Sequence, residues 1–212
     1  MNKIIVSIDG PSGSGKERIS KYISKKYNFY HLDSGILYRR LSNLLLKNEI
    51  DINNKKALSQ FLKSIKTISH RKHRILRREN ISKNTSNIAT ITLVRKYINN
   101  IQKKIVSKIL KSNKGCVIDG RDIGSHVFKN AKIKLYIQVR PEIRAKRRHK
   151  QLIERGEKSI YSRILKDINL RDKTDKSRSA SPLVVPKGAI IINNSFSFKN
   201  TILQINAALN RL

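Results

Sequence analysis

Residues 3–18, KIIVSIDGPSGSGKER, decide how the rest of the chain is read. The apolar run at 3–8 predicts a buried strand of a parallel sheet. It leads directly into Gly10, Pro11, Ser12, Gly13, Ser14, Gly15 and Lys16, a G-x-x-x-x-G-K pattern. Residues 17–27 then show helical periodicity, with Ile19, Tyr22 and Ile23 on one face. Glycines between a strand and a helix permit positive φ and close backbone approach. Successive N–H groups then point inward, and the helix N-terminus adds positive potential. Such a loop cradles phosphates, with Lys16 long enough to reach the β- and γ-groups. One position departs from the pattern. Glu17, followed by Arg18, stands where a hydroxyl residue usually helps hold Mg²⁺ or a phosphate. Glu17 opposes an anionic ligand unless it turns outward, and Arg18 is a candidate phosphate contact in compensation.

Working outward, further strands are expected at 29–32, 116–118, 133–139 and 189–192. Helices are expected at 37–46, 57–65, 88–110, 141–154, 161–172 and 197–209, and residues 67–78 (TISHRKHRILRR) read as a loop or a small hairpin. Strands alternating with helices indicate an α/β fold, a five-stranded parallel sheet flanked by helices. No linker rich in Pro, Gly or Ser splits the 212 residues, so they read as a single domain.

Lys and Arg number 47 against 14 Asp and Glu, a formal net charge of +33. That field attracts polyanions and anionic substrates. Lysine is over-used everywhere, including on ordinary solvated helix faces, so a compositional origin stands beside a nucleic-acid-binding one, and no specific nucleic-acid partner is expected. Aromatic residues are too scarce, at 6%, to supply many base-stacking platforms. One cysteine, Cys116, excludes an internal disulfide and suits the cytoplasm. No stretch approaches the ~20 apolar residues of a membrane span. Histidines 31, 70, 73, 126 and 149 show no metal-ligand spacing with Cys116.

Six blocks resemble the bacterial cytidylate kinase family of P-loop nucleoside-monophosphate kinases. They are IDGPSGSGK (8–16), HLDSGILYR (31–39), SNIATITLVR (86–95), IDGRDIGSHVF (118–128), RDKTDKSR (171–178) and SPLVVP (181–186). Their order and approximate spacing agree with the family, and the DGRDIG block is the most specific. The resemblance implies ATP-dependent phosphorylation of CMP and dCMP by a monomer, with Mg²⁺. It implies CMP contacts at Ser34, Arg39, Ser86, Arg95, Arg121, Asp122, Arg171, Asp175 and Arg178. Arg39 would hold the monophosphate, and Ser86 and Arg95 would approach it and the cytosine from an insertion. Asp122 would meet the base or orient its neighbour, and Asp175 would bind the sugar hydroxyls. Lys16, Arg121, Arg171 and Arg178 would act on the transferring phosphate. Physical chemistry favours such a set, since transfer needs spread positive charge and the planar guanidinium supplies it.

Alternatives stay open at several of these positions. Asp33 and Asp119 either position Mg²⁺ through water or cap turns. Arg121 and Asp122 read also as a structural ion pair, and the arginines of 171–178 as a solvated helix face. Residues 144–155 (RAKRRHKQLIER) fit a lid over ATP, with Arg147, Arg148 and Arg155 as phosphate or adenine contacts, or a plain basic helix. The expected division is a core of 1–40, 96–143 and 180–212, a monophosphate-binding insertion of about 41–95 and a lid of about 144–179. Residues 66–80 are too short for the small antiparallel sheet usual in that insertion, although 77–82 (RRENIS) resemble its end.

Overall fold

A computed structural model describes residues 3–210. Five strands, β1 (Ile4–Asp9), β2 (Tyr30–Asp33), β3 (Gly115–Asp119), β4 (Ile133–Gln138) and β5 (Ile190–Asn193), form one sheet in the order β2-β3-β1-β4-β5. β1 pairs in parallel with β3 and β4, and β4 with β5. β1 is therefore central, and the chain leaves its carboxyl end where neighbouring connections diverge, the place where open α/β sheets bind ligands.

The chain divides into two compact units, Met1–His31 with Lys114–Leu212, and Leu32–Asn113. In the first, Val6, Ile8, Val117, Leu135 and Ile137 are fully buried in one core cluster with α1 (Lys16–Tyr27) and α8 (Phe198–Leu209), which also pack on each other. Continuous apolar strands are what a sheet covered on both faces requires. Cys116 lies in this core, and burial pushes its thiol up to about 12, so it is inert at neutral pH. The same unit carries the helical pair α6 (Pro141–Ile153) and α7 (Tyr161–Ser177).

The second unit is helical beyond the end of β2. It contains α2 (Ser34–Lys47), α3 (Lys55–Ser64), α4 (Glu79–Ile88) and α5 (Thr92–Ser112) around Leu37, Leu41, Leu58, Ile88, Val94 and Ile98. The helix expected over 88–110 begins later, at Thr92, because the chain breaks at 89–91. The Thr90 hydroxyl donates to the Asn87 carbonyl and Ile91 is extended. Residues 67–78 form no strand; they hold a 3-10 turn at Arg74–Arg77. The hairpin alternative is replaced by side-chain anchoring, in which Arg39 donates to the Leu76 carbonyl and Arg40 to that of Arg71. The helix expected over 161–172 runs on to Ser177, which matters for the site.

Candidate active site

Gly10, Gly13 and Gly15 have positive φ of 152°, 71° and 87°. A Cβ on Gly10 would stand 2.6 Å from the Ile137 carbonyl oxygen, so that position requires glycine for space as well as torsion. Lys16, the first residue of α1, is buried. Its Nζ donates to the carbonyls of Gly10 (2.8 Å) and Pro11 (2.7 Å) and to Ser14 Oγ (3.2 Å). Burial and then neighbouring Arg121 pull its proton affinity well below that of an ordinary lysine, against the opposing pull of Asp119, Asp9 and Asp175. Glu17 turns outward onto Lys21 at 3.1 Å, relieving the conflict foreseen with an anionic ligand. Arg18 lies 3.7 Å from the Phe198 ring centroid, a cation–π contact.

The carboxyl ends of the strands supply acids and arginines. Asp119 ends β3 and meets His31 Nε2 at 2.5 Å. Arg121 Nε donates to Asp175 Oδ2 at 3.0 Å. Arg178 lies 3.5 Å from Asp175 Oδ1 and 3.9 Å from Asp122 Oδ1, and its Nε donates to the Ser181 carbonyl. The RDKTDKSR segment forms the last turns and C-cap of α7. Spacings of four and three residues put Arg171, Asp175 and Arg178 on one side of the chain. Burial alone would raise the Asp175 carboxyl, but Arg121, Arg171 and Arg178 outweigh it and hold the carboxyl below its ordinary value. The unit thus gathers Lys16, Arg121, Arg171 and Arg178 among the carboxylates of Asp9, Asp119, Asp122 and Asp175, a set of cations suited to a phosphoryl group.

Ser34, Arg39, Ser86 and Arg95 belong to the helical unit, as does Asp33. Ser34 is buried at the start of α2. Arg39 donates to Ser82 Oγ (2.7 Å) besides the Leu76 carbonyl. Ser86 Oγ bonds the Ser82 carbonyl. Arg95, 3% exposed, donates to the Ala89 carbonyl and faces the Tyr38 ring. On α6, Arg147 is exposed and donates to the Phe196 carbonyl, and exposed Arg148 donates to Gln151. Arg155, just beyond the helix, is exposed.

Three groups escaped the sequence reading. Asn194, after β5, donates to the Ser14 carbonyl and accepts from Thr201, bracing the loop. Buried Arg144 pairs with the half-buried Asp172. Asp9, fully buried at the end of β1, accepts from the N–H groups of Ile123 and Gly124, each at 2.7 Å. It thereby orients the DIG turn beside the phosphate loop. An acid closing an apolar strand before a glycine loop was the available signal.

Burial pushes the Asp9 carboxyl up to about 6, against the two backbone N–H groups. Between about pH 4 and 6 the folded chain binds more protons than the unfolded one, so this contribution to stability is full below that window and lost as pH rises through it. Asp9→Asn cannot titrate. The stability of the wild type relative to this variant is expected to grow by roughly 2 kcal/mol from pH 7 to pH 4, measured by urea unfolding at each pH. A difference that stays constant across the window would contradict the assignment.

A phosphate loop after the central strand, a buried lysine at its end and a converging arginine cluster define a P-loop kinase. A family model described as cytidylate kinase matches residues 6–211. The chain belongs to the cytidylate kinase family. It is 37% identical to a cytidylate kinase of Fusobacterium nucleatum, covering 92% of this chain and 91% of that one. It is 38% identical to one from Rickettsia akari, covering 90% and 84%, and 34% identical to one from Clostridioides difficile, covering 92% of each. In fold it is similar to a Thermus thermophilus protein (TM-score 0.53, 14% identity, 100% of this chain and 99% of that one). It is also similar to a gluconokinase of Sinorhizobium meliloti (TM-score 0.50, 13% identity, 99% and 92%).

Proposed function

We propose that this chain transfers the γ-phosphate of ATP to CMP and dCMP, working as a monomer in the cytoplasm. The observation that carries the proposal is a buried Lys16 in the field of Arg121 and Asp175, an acid that Arg178 also pairs, in a member of this family. Among the described residues no helix is long and apolar enough to cross a membrane.

Lys16 and the loop N–H groups hold the donor's phosphates, with Arg147, Arg148 and Arg155 on the lid contacting the donor. Arg121, Arg171 and Arg178 spread positive charge over the equatorial oxygens as the bond to the leaving group lengthens. Asp175 binds the sugar hydroxyls. Ser34, Arg39, Ser86, Arg95 and Asp122 hold the acceptor, with Arg39 on its phosphate. Residues 41–95 act as the acceptor-binding insertion and 144–179 as the lid, the remainder being the core.

The chain's donor set fits a Mg²⁺ ion that arrives with the nucleotide. Among the described residues no group of three or more His, Cys, Asp or Glu is placed to hold a metal, and Glu17 replaces the usual hydroxyl. Phosphate oxygens and water would supply most ligands, with Asp33 and Asp119 reaching the ion through water. The bound ion would neutralise charge on the β- and γ-phosphates.

Purified protein with ATP and a panel of CMP, dCMP, UMP, AMP and GMP, followed by coupled ADP release, tests the reading. CMP and dCMP are expected to turn over best. Equal or better turnover of AMP, GMP or UMP would overturn the cytidine assignment, and no turnover of any monophosphate would overturn the enzyme.

A further inference from the structure

We propose that Arg144 is a positioning residue that sets the register of α7 against the phosphate loop. The proposal rests on the kinase reading and concerns a side chain given no role in it.

Arg144 is only 2% exposed, among the largest fully buried side chains of the protein. A buried guanidinium is tolerated where its donors are used and its charge is paired. Here four of its five N–H donors are engaged. Nε donates to the Val139 carbonyl at 3.1 Å, just beyond β4. Nη1 donates to the Ser12 carbonyl and to Asp172 Oδ1, each at 3.0 Å, and Nη2 to Asp172 Oδ2 at 2.5 Å. A Cβ on Gly13 would meet the Arg144 Cβ at 3.7 Å, so the side chain begins in contact range of the loop. One planar group thus ties the sheet end, the phosphate loop and α7.

The consequence follows from the place of Asp172. It is flanked by Arg171 and lies three residues before Asp175, on the same last turns of α7. A bidentate arginine–carboxylate pair fixes orientation as well as distance. Arg144 therefore holds the transferring groups of α7 at a set position relative to Ser12. Lysine cannot reproduce this, because an ammonium is a point charge without the fork. An exposed lid helix needs no fully buried arginine bonded to the loop beneath it.

The test separates position from stability. Arg144→Lys and Asp172→Asn each retain most of the side chain's volume, and the double variant R144M/D172M replaces the ion pair with apolar groups. Wild-type turnover of CMP is the control on the kinase reading itself, so its failure is distinct from failure of this inference. Each single variant is expected to lower kcat by about 10²-fold, the scale of an ångström misplacement, with the KM for ATP within about threefold. R144M/D172M is expected to recover the wild-type Tm, since buried pairs exchange well for apolar ones, while kcat stays low. Two results would overturn the proposal: single variants with wild-type kcat, or a double variant that recovers kcat together with Tm.

Discussion

Lys16→Met is expected to lower kcat for CMP phosphorylation by about 10³-fold and to leave Tm within about 3 °C of the wild type. The two expectations have one cause. The ammonium is buried on the loop, bonded to two carbonyls and a hydroxyl, under pressure to lose its proton first from burial and then from Arg121. An arriving phosphate would relieve that pressure, so the group is expected to favour a polyphosphate over its own loop, most of all where charge grows in the transition state. Methionine keeps most of the length and removes the charge. Losing three hydrogen bonds costs stability, while burying no charge restores it, and the terms oppose each other. Coupled ADP release and thermal unfolding measure the pair. Retention of more than about a tenth of the wild-type kcat would remove Lys16 from the transfer step.

Arg121→Gln is expected to cost about 10²- to 10³-fold in kcat and to make the protein more sensitive to acid. Arg121 is the leading attraction opposing the desolvation of the Asp175 carboxylate. That carboxyl is held below its unfolded value, so it contributes stability at neutral pH that is lost as pH falls through the folded value. Without Arg121 the folded value moves up, and the loss begins at higher pH. Arg178 at 3.5 Å and Arg171 continue to attract the carboxylate, so the shift is partial. Urea unfolding between pH 3 and pH 7 reads the acid limb, and steady-state kinetics read kcat. An unchanged acid limb would break the link between Arg121 and Asp175. An unchanged kcat would leave Arg121 a structural partner only.

The core strands were legible because their chemistry is local. Apolar runs of four to six residues bounded by Asp or Asn, as at β1 and β5, identify buried parallel strands wherever they pack. Their ends fell within a residue or two of those expected, the ordinary uncertainty of a boundary. The break at 89–91 was not legible, because no Gly or Pro marks it and the apolar period runs through Ile88, Ile91 and Val94. Nor was α4 expected, since the expected helix began only at 88; α2 packs against both α4 and α5. The reach of α7 to Ser177 was only half legible, since the helix was expected to end at 172 while the arginines of 171–178 read also as a solvated helix face.

By itself the sequence determined the phosphate loop, its lysine, the alternating α/β order and the family, because each depends on residue type at fixed short spacing. The tertiary structure alone decided how the loop is braced. Asp9 reaches Ile123 and Gly124, Asn194 reaches Ser14, and Arg144 reaches Ser12 and Asp172. These partners lie 28 to 180 residues apart in sequence. The loop's departure from pattern was settled in the same way. Glu17 is written in the sequence as a charge facing an anion, and the turn of α1 carries it outward onto Lys21. Local pattern records which groups a chain carries, whereas burial and direction arise only when distant segments pack together.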